Sequence, residues 1–324
     1  MLLTVRLRDW GLLILCNLVW ASQFAMAKLV QRQMGPIFAT FFPMALATLF
    51  LIPVVAAERR RLGATALSQR PSRDILAFLL IGVCGQVAAQ LLITWGVRLS
   101  PASNAALLSL ALPISTAVMA FLILGERMTP VRWVSFALAI AGVLVCSGID
   151  WKELNFTAVQ FLLGNLLIFA SVNGSAFYNV YSKKLLVRYS PLQVLLYSYY
   201  VVLLVLAPIT IYLEPEGFYD LKNYDSTVWI GLLMLAFFQY LISMVIFLTV
   251  LTRLDATQAG LCNYLIPFFG LIIAAILLNE RLTPFMISGG LLVLVSTLLV
   301  TAYEEKRRMR ASPTKEEPFN PKSE

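Results

Sequence analysis

Gly-Glu-Arg-Met-Thr-Pro at residues 125–130 and Asn-Glu-Arg-Leu-Thr-Pro at residues 279–284 each follow a long apolar run. Residues 101–130 and 255–284 align without a gap at a constant offset of 154, and ten of the 30 positions are identical. Apolar composition alone would produce some Ala and Leu matches, but not a shared mid-helix proline together with a shared Glu-Arg-x-Thr-Pro. The chain therefore contains an internal repeat, which decides how the rest of it is interpreted.

The composition places this repeat in a lipid bilayer. Of 324 residues, 60% are hydrophobic and only 13% are charged, whereas a soluble domain carries about 25% charged residues. A single water-soluble core could not bury this much apolar surface. We therefore expect an integral membrane protein.

Ten apolar runs are long enough to cross about 30 Å of hydrocarbon, which takes about 20 residues of helix. They cover approximately residues 10–32, 36–57, 75–97, 102–124, 130–149, 157–182, 190–213, 227–251, 256–278 and 284–303. A β-barrel would instead show short alternating strands. The predicted fold is an all-α polytopic membrane protein with ten transmembrane helices.

The repeat divides these helices into two halves. At an offset of 155, Lys28 matches Lys183 and Pro36 matches Pro191, so each half holds five helices. Because five is odd, the second half enters from the opposite side, and the halves are inverted repeats. The predicted domains are 1–149, 150–303 and a disordered cytoplasmic tail over 304–324. Inverted repeats are typical of secondary transporters, whose substrate site lies near the midplane.

Basic residues in the short loops predict the orientation. Loops 58–74 and 183–189 are rich in Lys and Arg, whereas loop 214–225 is acidic. The positive-inside rule then places both termini in the cytoplasm, with Lys28 and Arg32 as exceptions. We expect a bacterial inner (plasma) membrane. The net charge of +8 lies in short clusters at membrane edges, so it predicts topology and not a nucleic-acid partner.

The repeated motif lies between the fourth and fifth helix of each half. Thr129 and Thr283 are placed as N-caps, with Pro130 and Pro284 at the first helical position. The charged pairs of the motif have two readings, a capped and charge-paired turn or a gate that breaks and reforms during transport. These pairs are Glu126 with Arg127 and Glu280 with Arg281.

The chain resembles the drug/metabolite transporter superfamily, in its EamA-like family of ten-helix carriers. The resemblance rests on Trp20-Ala21-Ser22-Gln23-Phe24 with Lys28 downstream, and on Gly125-Glu126-Arg127 and Asn279-Glu280-Arg281, each followed by x-Thr-Pro. It covers residues 10–303. Ala21 and Asn279 stand where the family usually has glycine.

The resemblance implies a carrier with a central cavity lined by helices 1, 3, 4, 6, 8 and 9, with helices 5 and 10 at the periphery. Many members of the family export amino acids or related metabolites. Others move drugs, nucleotide sugars or phosphorylated sugars.

Polar and aromatic side chains inside the predicted helices are the candidate substrate-binding residues, because polar groups in a membrane tend to face the bundle interior. Interhelical hydrogen bonding is the alternative role for each amide, and gap filling is the alternative for each aromatic ring. The candidates are Asn17, Trp20, Gln23, Gln86, Gln90, Asn104, Asn173, Tyr178, Gln239, Tyr240, Asn263 and Tyr264.

Pro113 and Pro267 interrupt helices 4 and 9 near mid-length. A proline in a helix leaves a carbonyl without its usual partner and bends the helix. The freed carbonyl could bind a ligand, or the prolines could act as kinks alone. We group them with Lys28 and the motif's charged pairs as gating or structural candidates.

The absence of ionisable residues at mid-membrane positions restricts the function. The sequence has no histidine, and no Asp, Glu, Lys or Arg lies mid-membrane in the predicted helices. An enzyme, a metal site and a cofactor are therefore not expected. We predict a secondary transporter that exports neutral or zwitterionic small metabolites such as amino acids, without ion coupling through a buried carboxylate.

Alternatives are an exchanger of nucleotide sugars or phosphorylated metabolites, a drug efflux carrier, and a passive channel or scaffold. The expected partners are a small-molecule substrate and the lipid bilayer. A homodimer is left open.

Overall fold

A computed structural model describes residues 2–66, 74–124, 129–146, 156–252 and 265–311, and within these ranges the regular structure is helical, with no strand. We number the long helices in chain order, with a short turn at Glu216–Tyr219 before α8. They are α1 (Leu2–Val30), α2 (Pro36–Ala66), α3 (Ile75–Leu99), α4 (Ala102–Leu108, a 3-10 turn at Ser109–Ala111, and Leu112–Leu124), α5 (Pro130–Cys146), α6 (Phe156–Leu186), α7 (Pro191–Leu213), α8 (Ser226–Leu251), α9 (Leu265–Leu278) and α10 (Pro284–Ala311).

Seven of these helices are long and apolar enough to cross a membrane, and three shorter apolar stretches lie in α5, α9 and α10. Large apolar side chains such as Leu76, Leu204 and Ile276 are exposed on the outside of the bundle. In water such a surface would be costly, but against lipid it is expected. The chain is thus an all-α polytopic membrane protein. The number of ten spans stays a prediction, because residues such as 253–264 lie outside the described ranges.

The contacts between helices follow the same pattern when the two halves are exchanged. Helix α1 packs against α8 and α9 of the second half, and α6 packs against α3 and α4 of the first. The pairs α2 with α7 and α5 with α10 each join equivalent helices. Such exchange symmetry is expected for two repeats related by a pseudo-two-fold axis. The predicted boundaries at 149, 150 and 303 stay predictions, and α10 continues past residue 303 to Ala311.

Glycines allow the closest helix crossings. A Cβ on Gly96 of α3 would lie 2.6 Å from the Ile168 side chain and 3.0 Å from the Gly164 carbonyl of α6. On α5, a Cβ on Gly142 would lie 2.7 Å from the Gly289 carbonyl of α10. Small residues let transmembrane helices approach backbone to backbone, where van der Waals contact stabilises the pair.

The helix starts predicted from the repeated motif are confirmed. The Arg132 N–H donates to Thr129 Oγ1 at 3.4 Å, and the Met286 N–H donates to Thr283 Oγ1 at 3.2 Å. Helices α5 and α10 begin at the prolines that follow these threonines. The threonine oxygens therefore satisfy first-turn N–H groups that have no partner inside the helix.

The predicted basic loops lie at one end of the bundle. Ser190, at the start of α7, donates to Glu58 Oε2 of α2 at 2.7 Å. Asp74, which precedes α3, accepts from Arg188 at 3.3 Å and from the Tyr189 hydroxyl at 2.8 Å. These contacts join the ends of α2, α3, α6 and α7. We call this end the basic end.

The opposite end holds the start of α2. There the Glu214 carboxylate, which follows α7, accepts from the Phe38 N–H at 2.7 Å and the Ile37 N–H at 3.3 Å. Gln33 donates to Asp225, the N-cap of α8, at 3.0 Å. Acidic groups at helix N-termini are stabilised by the helix dipole. We call this end the acidic end.

Candidate functional site

A cavity of about 100 Å³ lies between the two halves of the bundle. On this measure one water molecule needs about 10–15 Å³, so the space admits a small solute. Its lining comes from α1, α3, α4, α6, α8 and α9, the six helices that the family resemblance implies. The lining residues are Trp20, Gln23, Phe24, Gln86, Ala89, Gln90, Ile93, Ala105, Ser109, Leu112, Ser171, Val172, Ser175, Tyr178, Asn179, Gln239, Met244, Phe247 and Ile266.

Three glutamines form a hydrogen-bonded chain across the cavity. Gln239 of α8 donates through Nε2 to Gln23 Oε1 of α1 at 2.7 Å, and Gln23 donates through Nε2 to Gln90 Oε1 of α3 at 2.6 Å. All three are buried. These two hydrogen bonds connect the first half to the second. They leave Gln239 Oε1 without a donor from the described protein.

Gln86 is the most strongly buried amide of the lining, with 1% of its surface exposed. Neither its Nε2 nor its Oε1 has a hydrogen bond within the described structure. The Tyr178 hydroxyl is its neighbour, but the pair does not reach hydrogen-bond geometry. An unpaired buried amide costs about 1–3 kcal/mol. Gln86 therefore offers the cavity a donor and an acceptor that a polar solute could satisfy.

Matched π-helical segments carry the polar lining of α3 and α8. They span Ile81–Val87 and Met234–Ser243, which overlap when the halves are aligned at the offset of 154. A π segment accommodates an extra residue in the helical turn and occurs frequently at functional sites. Gln86 and Gln239 lie on these segments, so the same backbone irregularity presents an amide from each half.

One wall of the cavity is aromatic. The Trp20 indole N–H donates to Ser243 Oγ at 3.0 Å, and the Trp20 ring meets Phe247 edge to face with centroids 4.9 Å apart. The bond and the ring contact fix the orientation of the indole. Trp20 therefore combines the two roles that the sequence left open, cavity lining and packing between helices.

The remaining described candidates do not line the cavity. Asn17 and Asn173 donate to carbonyls of their own helices, at 2.7 Å to Leu13 and 2.8 Å to Phe169. Asn104 donates to Ser100 Oγ at 3.2 Å and to Asn165 Oδ1 of α6 at 3.1 Å, which ties α4 to α6.

The Tyr240 backbone carbonyl accepts from the Tyr199 hydroxyl at 2.5 Å. Asn263 and Tyr264 lie outside the described residues.

Sequence reasoning missed Ser171 and did not select Ser175 or Asn179, which all line the cavity. The signal was present, because residues 171, 175, 178 and 179 share one face of a helix. Asn173 lies off that face. A helical wheel centred on Tyr178 would have separated the lining residues of α6 from Asn173.

Pro113 has no N–H to donate to the Ser109 carbonyl, four residues earlier, and the local geometry of α4 gives this carbonyl another donor. The chain forms a 3-10 turn over Ser109–Ala111, and the Leu112 N–H donates to the Ser109 carbonyl. The Ser109 side chain lines the cavity. For this proline the kink is therefore the better supported of the two readings. Pro267 is buried in α9, and the residue four before it lies outside the described ranges.

Glu280 of the second half bonds to the first half at the acidic end. Its carboxylate accepts from the Ala102 N–H at 3.0 Å, from the Ser103 N–H at 2.9 Å and from the Ser103 hydroxyl at 2.7 Å. Lys28 Nζ of α1 lies 3.2 Å away. We call these four residues the Glu280 latch.

Two opposing effects act on the Glu280 carboxyl. Burial raises its pKa, but the hydrogen bonds from Ser103 and Ala102 and the charge of Lys28 outweigh burial and lower the pKa below its ordinary value. Arg281 is exposed, and Glu126 and Arg127 lie outside the described residues. The ion pair also explains why the basic Lys28 lies at the end opposite to the basic loops.

The described lining contains no Asp, Glu, Lys or Arg. In the described part of the chain, no three His, Cys, Asp or Glu side chains come together as a metal site would require. What the lining provides is amide, hydroxyl and indole groups on an apolar surface. Such groups can hydrogen-bond a solute but cannot neutralise a net charge.

Comparison with known proteins finds transporters. The EamA-like transporter family model matches residues 10–148 and 162–302. A "Probable terminal-alkyne amino-acid exporter" of Streptantibioticus cattleyicolor is 29% identical, covering 94% of this chain and 96% of that protein. An "S-adenosylmethionine uptake transporter" of Rickettsia felis is 24% identical, with 88% of each chain covered. A "Probable amino-acid metabolite efflux pump" of Escherichia coli is 28% identical over 60% of this chain and 65% of that one.

A solved crystal structure shares the fold. It aligns with a TM-score of 0.60 at 16% identity, covering 93% of this chain and 98% of the other.

Proposed function

The chain belongs to the EamA-like transporter family, within the drug/metabolite transporter superfamily, and we propose that it carries small polar solutes without net charge by alternating access. The family membership and the named relatives make it a small-molecule transporter. The proposal adds the class of solute and the way in which it is held.

The amide of Gln86 carries this proposal, because it has no partner within the described structure and the described residues of the lining include no ionised side chain. A primary amide places a donor and an acceptor side by side, so it favours solutes that offer both. A solute with net charge would leave water for a cavity whose described lining supplies no counter-charge, which is strongly unfavourable.

Amino acids and related zwitterions fit this description, since their ammonium and carboxylate groups cancel and each can hydrogen-bond to amides. Support comes from two relatives whose names refer to amino-acid export or amino-acid metabolite efflux. We extend this to export by the present chain as part of the proposal. The solute then occupies the space beside Gln86, the glutamine chain and Trp20.

The mode of energy coupling follows from the same lining. Proton- and sodium-coupled carriers commonly use carboxylates inside the membrane, and the described lining holds none. We therefore propose facilitated diffusion or exchange. Phosphorylated metabolites and nucleotide sugars would need a cationic clamp, so they are the weaker alternative. A drug efflux carrier would use mainly the aromatic wall.

We place the basic end in the cytoplasm of a bacterial cell, following the positive-inside rule, with both termini on that side. The repeat units proposed are 1–149 and 150–303.

Purified protein in detergent should show a ligand-dependent rise in thermal stability with neutral or zwitterionic amino acids. A ligand that binds the native state stabilises it by RT ln(1 + [L]/Kd). Gln86→Ala should weaken the shift by about tenfold in ligand concentration, as expected for the loss of about 1.4 kcal/mol. The unliganded variant should unfold near the wild-type temperature, because no protein partner is lost.

Gln193 provides the matched control. It is equally buried, but its side chain forms a capping box with Ser190 at the start of α7. Gln193→Ala should lower the melting temperature and leave the ligand dependence unchanged. If anionic phosphorylated compounds alone stabilise the protein, or if Gln86→Ala leaves the ligand dependence intact, the proposed site is wrong.

A further inference from the structure

The Glu280 latch lies directly beyond the cavity on two helices. On α1, Lys28 follows the lining residue Phe24 by four positions, and on α4, Ala102 precedes the lining residue Ala105 by three. Residues three or four apart share a face of a helix, and each residue adds 1.5 Å. Along both helices the latch therefore lies about 5 Å beyond the lining, on the side of the acidic end.

The latch is a contact between the two halves. Lys28, Ala102 and Ser103 belong to the first repeat, whereas Glu280 belongs to the second. The Glu280 side chain is only 14% exposed and accepts from four donors of α1 and α4. Any movement that separates the halves at this end must break these bonds together.

The backbone around Glu280 directs it to this position. Asn279 has a φ of 53°, the left-handed conformation that ends α9, and the Glu280 N–H still donates to the Ala274 carbonyl at 3.4 Å. Four residues later α10 starts at its threonine cap. Asn is among the few residues that adopt the left-handed region readily, which explains how Asn279 can stand where the family resemblance implies a glycine.

Lys28 also connects the latch to the turn between α3 and α4. Besides Glu280, it donates to the Ser100 carbonyl at 3.0 Å, in the turn between α3 and α4. Ser100 Oγ donates in turn to Asn165 Oδ1 of α6 at 2.6 Å. Lys28 therefore connects Glu280 to the α3–α4 turn, and that turn is bonded to α6.

We propose that the Glu280 latch holds the acidic end of the cavity shut and must open in every transport cycle, so that weakening it favours the state open at this end. This proposal rests on the proposed function, because only a carrier needs both ends to open. The proposal goes beyond that function because it names the contact that closes the acidic end. This contact is between the Glu280 carboxylate of the second half and the first turn of α4 in the first half.

The test measures access to the cavity from one side. Ala105→Cys, in a background without the native cysteines, places a thiol in the lining, and a membrane-impermeant maleimide is added at the acidic end of oriented proteoliposomes. Glu280→Gln keeps the shape of the side chain but removes its charge, and charge-assisted hydrogen bonds are about twice as strong as neutral ones. Labelling should become faster by about tenfold.

Lys28→Met should also make labelling faster, because it removes the other partner of the ion pair. This second variant keeps the proposal testable if Glu280→Gln does not fold. The control is Glu216→Gln, an exposed carboxylate between α7 and α8, which should leave the rate unchanged. If Glu280→Gln and Lys28→Met lower the melting temperature without faster labelling, the contact is only structural and the proposal is overturned.

The labelling rate needs no transported solute. A failure to find a substrate would contradict the proposed function but not the latch, and unchanged labelling would contradict the latch but not the substrate site.

Discussion

At the scale of single residues, the position of a polar group in the bundle separates binding from packing. Gln86 and Asn104 are both buried amides in the first repeat. Asn104 has partners in the α3–α4 turn and on α6, whereas Gln86 has none in the described structure. A buried polar group without a partner is costly, so its retention in a cavity lining favours a ligand role.

The pH dependence of the latch follows from the Glu280 carboxyl, whose pKa is lowered by its contacts with Ser103, Ala102 and Lys28, against the opposing effect of burial. The latch is then fully stabilising above the ordinary pKa of 4.5, and this contribution is lost as the pH falls through the lowered value. The melting temperature of wild type should therefore exceed that of Glu280→Gln near neutral pH, and the gap should close on acidification below pH 4.5. A gap that stays constant or widens in acid would contradict the assignment.

The residue types were accessible from sequence, but their partners were not. A search for polar groups in apolar runs found Gln23, Gln86, Gln90 and Gln239, because such groups are rare in lipid. It also selected Asn173, whose side chain bonds to its own helix. Nothing in the local sequence distinguishes these cases, since the difference depends on which helix packs opposite.

At the scale of helices, starts were predictable and irregularities were not. Thr-Pro marked the beginnings of α5 and α10 because a hydroxyl cap and a proline at the first position suit a helix N-terminus. The π segments of α3 and α8 carry no such signal in a single sequence. They became visible only as a matched pair in the structure.

The crossing of α3 and α6 gives a prediction at this scale. Gly96→Ala adds a methyl group that would meet the Ile168 side chain and the Gly164 carbonyl, so it should cost about 1–3 kcal/mol through overpacking. Thermal unfolding in detergent measures this loss. Gly11→Ala is the control, because nothing lies within 4 Å of its added Cβ, and it should be neutral or slightly stabilising. Equal effects of the two substitutions would argue against a close crossing.

At the scale of the whole molecule, the repeat predicted more than any single motif. Two copies of Glu-Arg-x-Thr-Pro, each after an apolar run, led to two halves, and the helix contacts keep the same pattern when the halves are exchanged. The sequence could not show that Glu280 crosses to the other half, because that contact depends on how the halves meet. The second copy of the motif forms the turn between α9 and α10, and its Glu280 also takes part in a long-range contact.

Counterflow tests the central claim, that a cavity between the two halves, uncharged over its described lining, opens to each side in turn. Proteoliposomes are loaded with a high concentration of an unlabelled neutral amino acid found by the thermal shift, and a trace of the radiolabelled form is added outside. We predict transient accumulation of label above equilibrium, saturation with concentration, and strong reduction by Gln86→Ala. Linear, unsaturable entry without overshoot would identify a channel and contradict alternating access.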